Sequence, residues 1–240
     1  MTTDTMRLFL DTAEVPVIKK AFSTGLLDGI TTNPTLIMKS GRKPTEVYDE
    51  LSDMGIRDIS MEVVEDTTEG MFREASKLVN HFGDVATIKL PCTKEGLQAC
   101  RELANQNVRV NITLIFSAAQ AILAAKAGAT YVSPFVGRVD DNSFDGVGLI
   151  KEIAEIYEKQ CVHETEILSA SIRRVYDVSK SFASGAHICT IPPSVFVKMY
   201  QHVLTDKGLE QFDNDWKTVR ELSQGVLTDP KENVMININT

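Results

Sequence analysis

Val85-Ala86-Thr87-Ile88-Lys89-Leu90-Pro91 is an apolar run interrupted by one lysine, and the segments after it decide the fold. The next segment, Gly96–Asn105, carries apolar residues at threes and fours, the period of an amphipathic helix. A second run, Val108–Leu114, leads into a second such segment, Ser117–Ala127. Gly128 separates that segment from a third run, Tyr131–Phe135. Strands apolar on both faces must be covered on both faces, as strands of a parallel sheet flanked by helices are. Glycine after a helix permits the left-handed turn that ends it. The stretch from 85 to 135 therefore reads strand–helix–strand–helix–strand.

The same alternation extends in both directions. Further strands are predicted at Leu8–Asp11, Gly29–Thr32, Ile59–Val64, Ile167–Ser171 and Ile188–Ile191. Further helices are predicted at Met71–Phe82, Leu149–Glu158, Arg174–Ala183 and Ser194–Val203, with Gly83 and Gly185 at helix ends. Eight strands counted this way predict an α/β fold, a single closed (β/α)8 TIM barrel. The competing arrangement, an open doubly wound sheet, would carry a glycine-rich turn after its first strand, where this chain has Asp11-Thr12-Ala13-Glu14. One additional C-terminal helix is predicted at Gly208–Leu222, with Phe212, Trp216 and Val219 on one face. That face must be buried across the barrel or against another subunit. The domain is expected to span residues 1–223, leaving 224–240 as a weakly ordered tail.

Composition narrows the function. The 240 residues are 43% hydrophobic, enough for a sizeable core, and 33 acidic against 25 basic residues give a net charge of −8. Such a surface disfavours nucleic acid and anionic membranes, so an anionic substrate requires a local cationic pocket. No stretch approaches the roughly 18 apolar residues of a membrane span. Met1-Thr2-Thr3-Asp4-Thr5 has no basic region or apolar run of a signal peptide, and a cytoplasmic location is expected. Cys92, Cys100, Cys161 and Cys189 form no C-x-x-C pair and have no histidine at ligand spacing, so free thiols and no metal are expected. The four histidines are scattered, Gly146-Val147-Gly148 is too short for a nucleotide loop, and no phosphate-binding Walker pattern occurs.

Polar residues near the C-terminal ends of barrel strands are more informative, because barrel enzymes place their chemistry there. Asp11, Thr31 to Asn33, Glu62, Lys89, Asn111, Thr113, Ser133 and Ser171 all stand in such places. Lys89 is the sharpest. Lysine is rarely buried without a reason, and desolvation of an amine favours the neutral form that attacks a carbonyl to make a Schiff base. A lysine snorkelling from the strand end, or binding phosphate, is the alternative. Asp11 and Glu62 supply carboxyls for proton transfer, unless Asp11 is an N-cap and Glu62 a solvated strand end. Asn33 precedes a proline and also suits a turn, whereas Asn111 and Thr113, two apart, share the barrel interior. Arg138 and Arg173 follow strand ends and with Ser171 make a phosphate clamp, or else surface salt bridges.

Taken together, Leu8-Phe9-Leu10-Asp11-Thr12, Gly29-Ile30-Thr31-Thr32-Asn33-Pro34 and Ile88-Lys89-Leu90-Pro91 resemble the transaldolase family, including its small fructose-6-phosphate aldolase-like branch. Asn111-Ile112-Thr113-Leu114-Ile115-Phe116-Ser117, Ser133-Pro134-Phe135-Val136-Gly137-Arg138 and Ala170-Ser171-Ile172-Arg173 continue the resemblance in family order. The resemblance implies a (β/α)8 barrel without metal or organic cofactor, acting on sugar phosphates. It implies that Lys89 forms the Schiff base and Asp11 handles the C4 hydroxyl proton. Glu62 and Thr113 would hold the water of the carbinolamine and imine steps. Asn33, Asn111 and Ser133 would steady the donor sugar and enamine, and Arg138, Ser171 and Arg173 would bind phosphate. Cleaving members tend to carry glutamine at the position of Glu62 and tyrosine at that of Phe135, so both residues here favour transfer. Small members assemble into homo-oligomeric rings of five or ten, the C-terminal helix reaching a neighbour. Arg174 after Arg173, and the long tail, depart from the family pattern.

Overall fold

A computed structural model describes residues 6–226, with side chains to residue 223. Eight parallel strands, each hydrogen-bonded to its sequence neighbours, close into a barrel. The first half runs β1 (Arg7–Asp11), α1 (Val15–Phe22), β2 (Gly29–Thr31), α2 (Pro34–Ser40), α3 (Pro44–Asp53), β3 (Ile59–Glu62), α4 (Thr68–Phe82) and β4 (Ala86–Pro91). The second runs α5 (Lys94–Ala104), β5 (Val110–Ile115), α6 (Ala118–Lys126), β6 (Tyr131–Pro134), α7 (Val136–Asp141), α8 (Gly146–Lys159), β7 (Glu166–Ser169), α9 (Val175–Ala183) and β8 (Ile188–Ile191). The (β/α)8 expectation holds, with β8 at its predicted bounds.

Two compact units divide the described residues, 6–197 and 198–226. The core of the first is the predicted two-sided burial: Leu10, Ile30, Ile59, Ile88, Ile112, Val132, Ile167 and Ile191 show no exposed surface. Helix starts follow from local chemistry. Asn33, Thr67, Thr93, Ser117 and Asp145 each accept a backbone N–H with their side chains, and prolines open α1, α2 and α3. Gly83, Gly128 and Gly185 all have positive φ, as the sequence requires of them.

The last helices differ from expectation. The segment predicted at 194–203 is a short α10 (Pro193–Lys198), and the C-terminal helix is longer than predicted, α11 (Val203–Val226). Within α11, Leu209, Phe212, Trp216 and Val219 lie at alternating spacings of three and four and are exposed. The expectation of a weakly ordered tail falls, beyond residue 226, outside the described residues.

At the strand starts a polar network plugs the barrel. Asp58 accepts hydrogen bonds from Arg109 Nη1, Tyr131 Oη and Thr87 Oγ1, each at 2.7 Å. Arg7 reaches Tyr131 Oη at 3.2 Å and pairs with Glu166. Among the described residues, no buried side-chain polar atom of this network lacks a hydrogen-bond partner.

Candidate active site

The opposite end, at the strand C-termini, opens into a pocket of about 110 Å³ lined by Asp11, Thr31, Asn33, Lys89, Asn111, Thr113, Ser133, Phe135, Arg138, Ser171 and Thr190, among others. Nine of the eleven residues given a role from sequence lie on this wall. Glu62 joins the site through Lys89, and Arg173 lies outside the lining.

Lys89 does not snorkel. It is 6% exposed, and its Nζ donates inward to Glu62 Oε2 at 2.8 Å and to the Thr32 carbonyl at 3.0 Å. The register places Glu62 directly beside Lys89 and Lys89 directly beside Asn111. The amine is thus held against a carboxylate able to accept its proton, at the wall of a cavity a small carbonyl compound can enter.

Asp11 caps no helix: the N-cap of α1 is Glu14. Its Oδ1 accepts from Thr31 Oγ1 at 2.8 Å. Burial pushes the Asp11 carboxyl above the usual carboxylate range, with the charge of Lys89 and the Thr31 hydrogen bond opposing and the charge of Glu62 reinforcing the rise. A carboxyl poised this way suits taking up and returning one proton.

The polar floor is ordered by its own hydrogen bonds. Ser133 Oγ donates to Asn111 Oδ1 at 2.6 Å, and Asn111 Nδ2 donates to Ser60 Oγ at 3.2 Å. Asn33 Oδ1 accepts from the Leu36 N–H at 3.0 Å, so capping α2 leaves its amide nitrogen for a ligand. Thr113 Oγ1 is buried and has no hydrogen-bond partner in the protein. Such a hydroxyl is a place for a water or a substrate oxygen. One extra residue on β5 falls beside it: between Ile112 and Ile115 the pairing with β6 slips, and Leu114 takes φ +58°. Phe135 closes one side, edge-on to Phe116 at 5.7 Å and with the Arg138 guanidinium 5.0 Å above its ring.

The phosphate clamp is only partly assembled. Arg138 and Ser171 face the pocket. Arg173 instead makes a bidentate pair with Asp141, at 2.6 and 2.5 Å. Arg174 caps α9 by binding Asp177, and its side chain is 65% exposed. Gly137 is required here: a Cβ would stand 2.2 Å from the Ser171 carbonyl and 2.9 Å from Arg173 Nε.

Two contributors escape a reading of the sequence. Thr190, on β8, lies 2.5 Å from Thr31 Oγ1. Tyr48, on α3, contacts Thr32 Oγ1 at 3.0 Å; since Thr32 gives its proton to the Ser60 carbonyl, Tyr48 is the donor. Burial raises the Tyr48 hydroxyl to about 12. Neither residue stands out in sequence, because threonine is an ordinary strand residue and tyrosine an ordinary core residue of a helix.

Among the described residues no helix is long and apolar enough to cross a membrane, and no group of three His, Cys, Asp or Glu could hold a metal ion. The profile of the transaldolase/fructose-6-phosphate aldolase family matches residues 8–224. A probable transaldolase of Caulobacter vibrioides is 50% identical over 211 residues, 88% of this chain and 96% of its own. A probable transaldolase of Geobacter sulfurreducens is 48% identical over 214 residues, 89% of this chain and 99% of its own. One from Clostridium kluyveri is 49% identical over the same length and shares.

Proposed function

This chain belongs to the transaldolase/fructose-6-phosphate aldolase family, and from its site we propose that it is a transaldolase moving a three-carbon dihydroxyacetone unit between sugar phosphates through a Schiff base on Lys89. The observation that carries the reading is the buried Lys89 amine, 2.8 Å from Glu62 and sharing its cavity with Asp11.

Lys89 Nζ adds to the C2 carbonyl of sedoheptulose 7-phosphate or fructose 6-phosphate. The carbinolamine loses water to give the imine, with Glu62 relaying protons through a water that the unpartnered Thr113 hydroxyl is placed to hold. Asp11 accepts the C4 hydroxyl proton as the C3–C4 bond breaks and the aldose phosphate departs. The electron pair of that bond becomes the enamine on Lys89, steadied by Asn33, Asn111 and Ser133. The enamine attacks the aldehyde of glyceraldehyde 3-phosphate or erythrose 4-phosphate, Asp11 returns the proton, and water releases the new ketose. Arg138, Ser171 and Arg173 take the phosphate, Arg173 after exchanging Asp141 for it.

Transfer is favoured over simple cleavage by Phe135. It offers no hydroxyl to protonate the enamine carbon, so the three-carbon unit waits for an acceptor. The pentose phosphate pathway and the cytoplasm are the setting we propose. Homo-oligomeric assembly, as a pentamer or decamer, is proposed from the exposed apolar stripe of α11.

The test is aldehyde-phosphate release from fructose 6-phosphate, followed by a coupled dehydrogenase, with and without erythrose 4-phosphate. Turnover only with the acceptor supports transfer. Sustained turnover without it makes the enzyme an aldolase. Borohydride with donor should trap an adduct in the wild type and none in Lys89→Ala; an adduct in the variant would refute the assignment of the lysine.

A further inference from the structure

We propose that Thr190 is a positioning residue for Asp11, committing the single proton of the Thr31 hydroxyl to the Asp11 carboxylate. This inference rests on the acid/base role of Asp11 proposed above.

Thr31 Oγ1 lies 2.8 Å from Asp11 Oδ1 and 2.5 Å from Thr190 Oγ1. An ionised carboxylate only accepts, so Thr31 must donate to Asp11. Thr31 has one proton, so in the shorter contact Thr190 is the donor. The chain runs from Thr190 O–H to Thr31 O–H to the carboxylate. Were Thr190 an acceptor, Thr31 would be drawn away and the buried carboxylate would lose its hydrogen bond.

Topology makes the arrangement specific. Thr31 and Thr190 come from β2 and β8, the two strands that flank β1. Thr31 pairs with Asp11 and Thr190 with Phe9, so the hydroxyls meet across the inside of β1. Thr31 is 2% and Thr190 3% exposed, yet both reach the pocket wall. In a barrel interior dominated by branched apolar side chains, a buried threonine pair would serve packing no better than valines. The charged groups around Asp11 are Lys89 on β4 and Glu62 on β3, with Arg138 on the same pocket wall. Thr190 hydrogen-bonds to none of these and reaches Asp11 through Thr31.

Asp11 Oδ1 stays occupied by the Thr31 hydroxyl, which leaves the other carboxylate oxygen to take the substrate proton. The pair therefore holds the carboxyl in one orientation in both halves of the reaction.

The experiment compares wild type, Thr190→Val and Thr190→Ser in three assays. These are acceptor-dependent turnover, the rate of borohydride trapping with fructose 6-phosphate, and the pH profile of kcat/KM. Thr190→Val should trap the Lys89 adduct at the wild-type rate, because imine formation precedes the step served by Asp11. Its kcat should fall about 5- to 10-fold, the scale of one net hydrogen bond. Its acidic limb should move to higher pH, since the ionised carboxylate has lost support. Thr190→Ser should restore kcat to within about 2-fold, again on the scale of hydrogen-bond differences. An unchanged kcat and acidic limb in Thr190→Val would overturn the proposal. So would equal losses of trapping and turnover that serine does not rescue, which would mark a packing role. A wild-type enzyme without turnover would overturn the functional reading and this one with it, whereas an active wild type with an indifferent Thr190→Val overturns this one alone.

Discussion

Replacing Asp58 by alanine tests the division of labour between the two ends of the barrel. Asp58 is 6% exposed and accepts from three side chains carried by other strands or their approaches, all at 2.7 Å. Alanine leaves the fully buried Thr87 hydroxyl without its acceptor. The Tyr131 hydroxyl, already receiving a hydrogen bond from Arg7, loses the acceptor for its own proton. Each buried orphan costs about 1–3 kcal/mol. Arg109 suffers less: its side chain is 31% exposed, and it keeps the carbonyls of Arg57 and Asp84. Its lost ion pair is worth no more than about 1 kcal/mol at that exposure. Asp58→Ala should therefore destabilise by roughly 4 kcal/mol, a large share of the 5–15 kcal/mol typical of a domain. Asp58→Asn, which keeps one acceptor oxygen, should lose about half as much. Urea unfolding followed by far-ultraviolet circular dichroism, at one fixed protein concentration, measures both. Activity per folded molecule should be unchanged, because the network sits at the strand starts and Lys89 near a strand end. A loss below about 1 kcal/mol in Asp58→Ala, or a fall in specific activity beyond the unfolded fraction, would refute the reasoning.

Asp11→Asn should abolish turnover yet make the fold more heat-stable at pH 7. The folded carboxyl is held above its unfolded value, so its stabilising contribution is complete below the unfolded pKa and is lost as pH rises through the folded one. The margin of the variant should therefore vanish near pH 4, below which both states are protonated, and a margin independent of pH would contradict this. Gly137→Ala forces the Ser171 carbonyl and Arg173 apart from a Cβ placed 2.2 and 2.9 Å away. It should raise KM for the phosphorylated acceptor about tenfold while leaving trapping of Lys89 by free dihydroxyacetone intact, and equal KM values would refute it. Trp216→Glu places a charge in the exposed stripe of α11. If that stripe joins subunits, the mass from light scattering should fall by a whole-number factor; an unchanged mass would exclude the stripe.

The barrel is legible because its strands announce themselves twice, by apolarity on both faces and by punctuating glycines. Ile188–Ile191 is bounded by His187 and by Pro192, which cannot donate to a ladder, and is legible to the residue. Ile59–Val64 and Ile167–Ser171 run past the ends of β3 and β7, since periodicity does not register where pairing stops: beyond β7 Ala170 keeps one bridge to Phe135 and Ser171 turns to φ +58°. The helices opened by Pro16, Pro34 and Pro44 lie outside the segments predicted as helices, although α1 buries Val15, Ile18 and Ala21 and α3 buries Val47, Tyr48 and Leu51 at helical spacing. Lys89, Glu62 and Asp11 are legible for the opposite reason: each is a charge inside an apolar run, and burial of a charge demands a purpose.

What escapes is whatever depends on a partner elsewhere in the chain. Thr190 acquires meaning only beside Thr31, and those two are brought together by the closure of β8 onto β1, a contact spanning 159 residues. The direction of Arg173 is decided by Asp141 on α7, an element whose six residues no periodicity marks. The two cases differ in consequence. Thr31 and Thr190 are only 2% and 3% exposed, so little solvent competes for the hydrogen bond between them. Arg173 and Asp141 are about half exposed, at 54% and 47%, where an ion pair is weak and exchange with a phosphate of the same bidentate geometry costs little. The pair thus holds the guanidinium in a binding-ready fork at the rim, while the permanent order needed for proton transfer is confined to the dry interior.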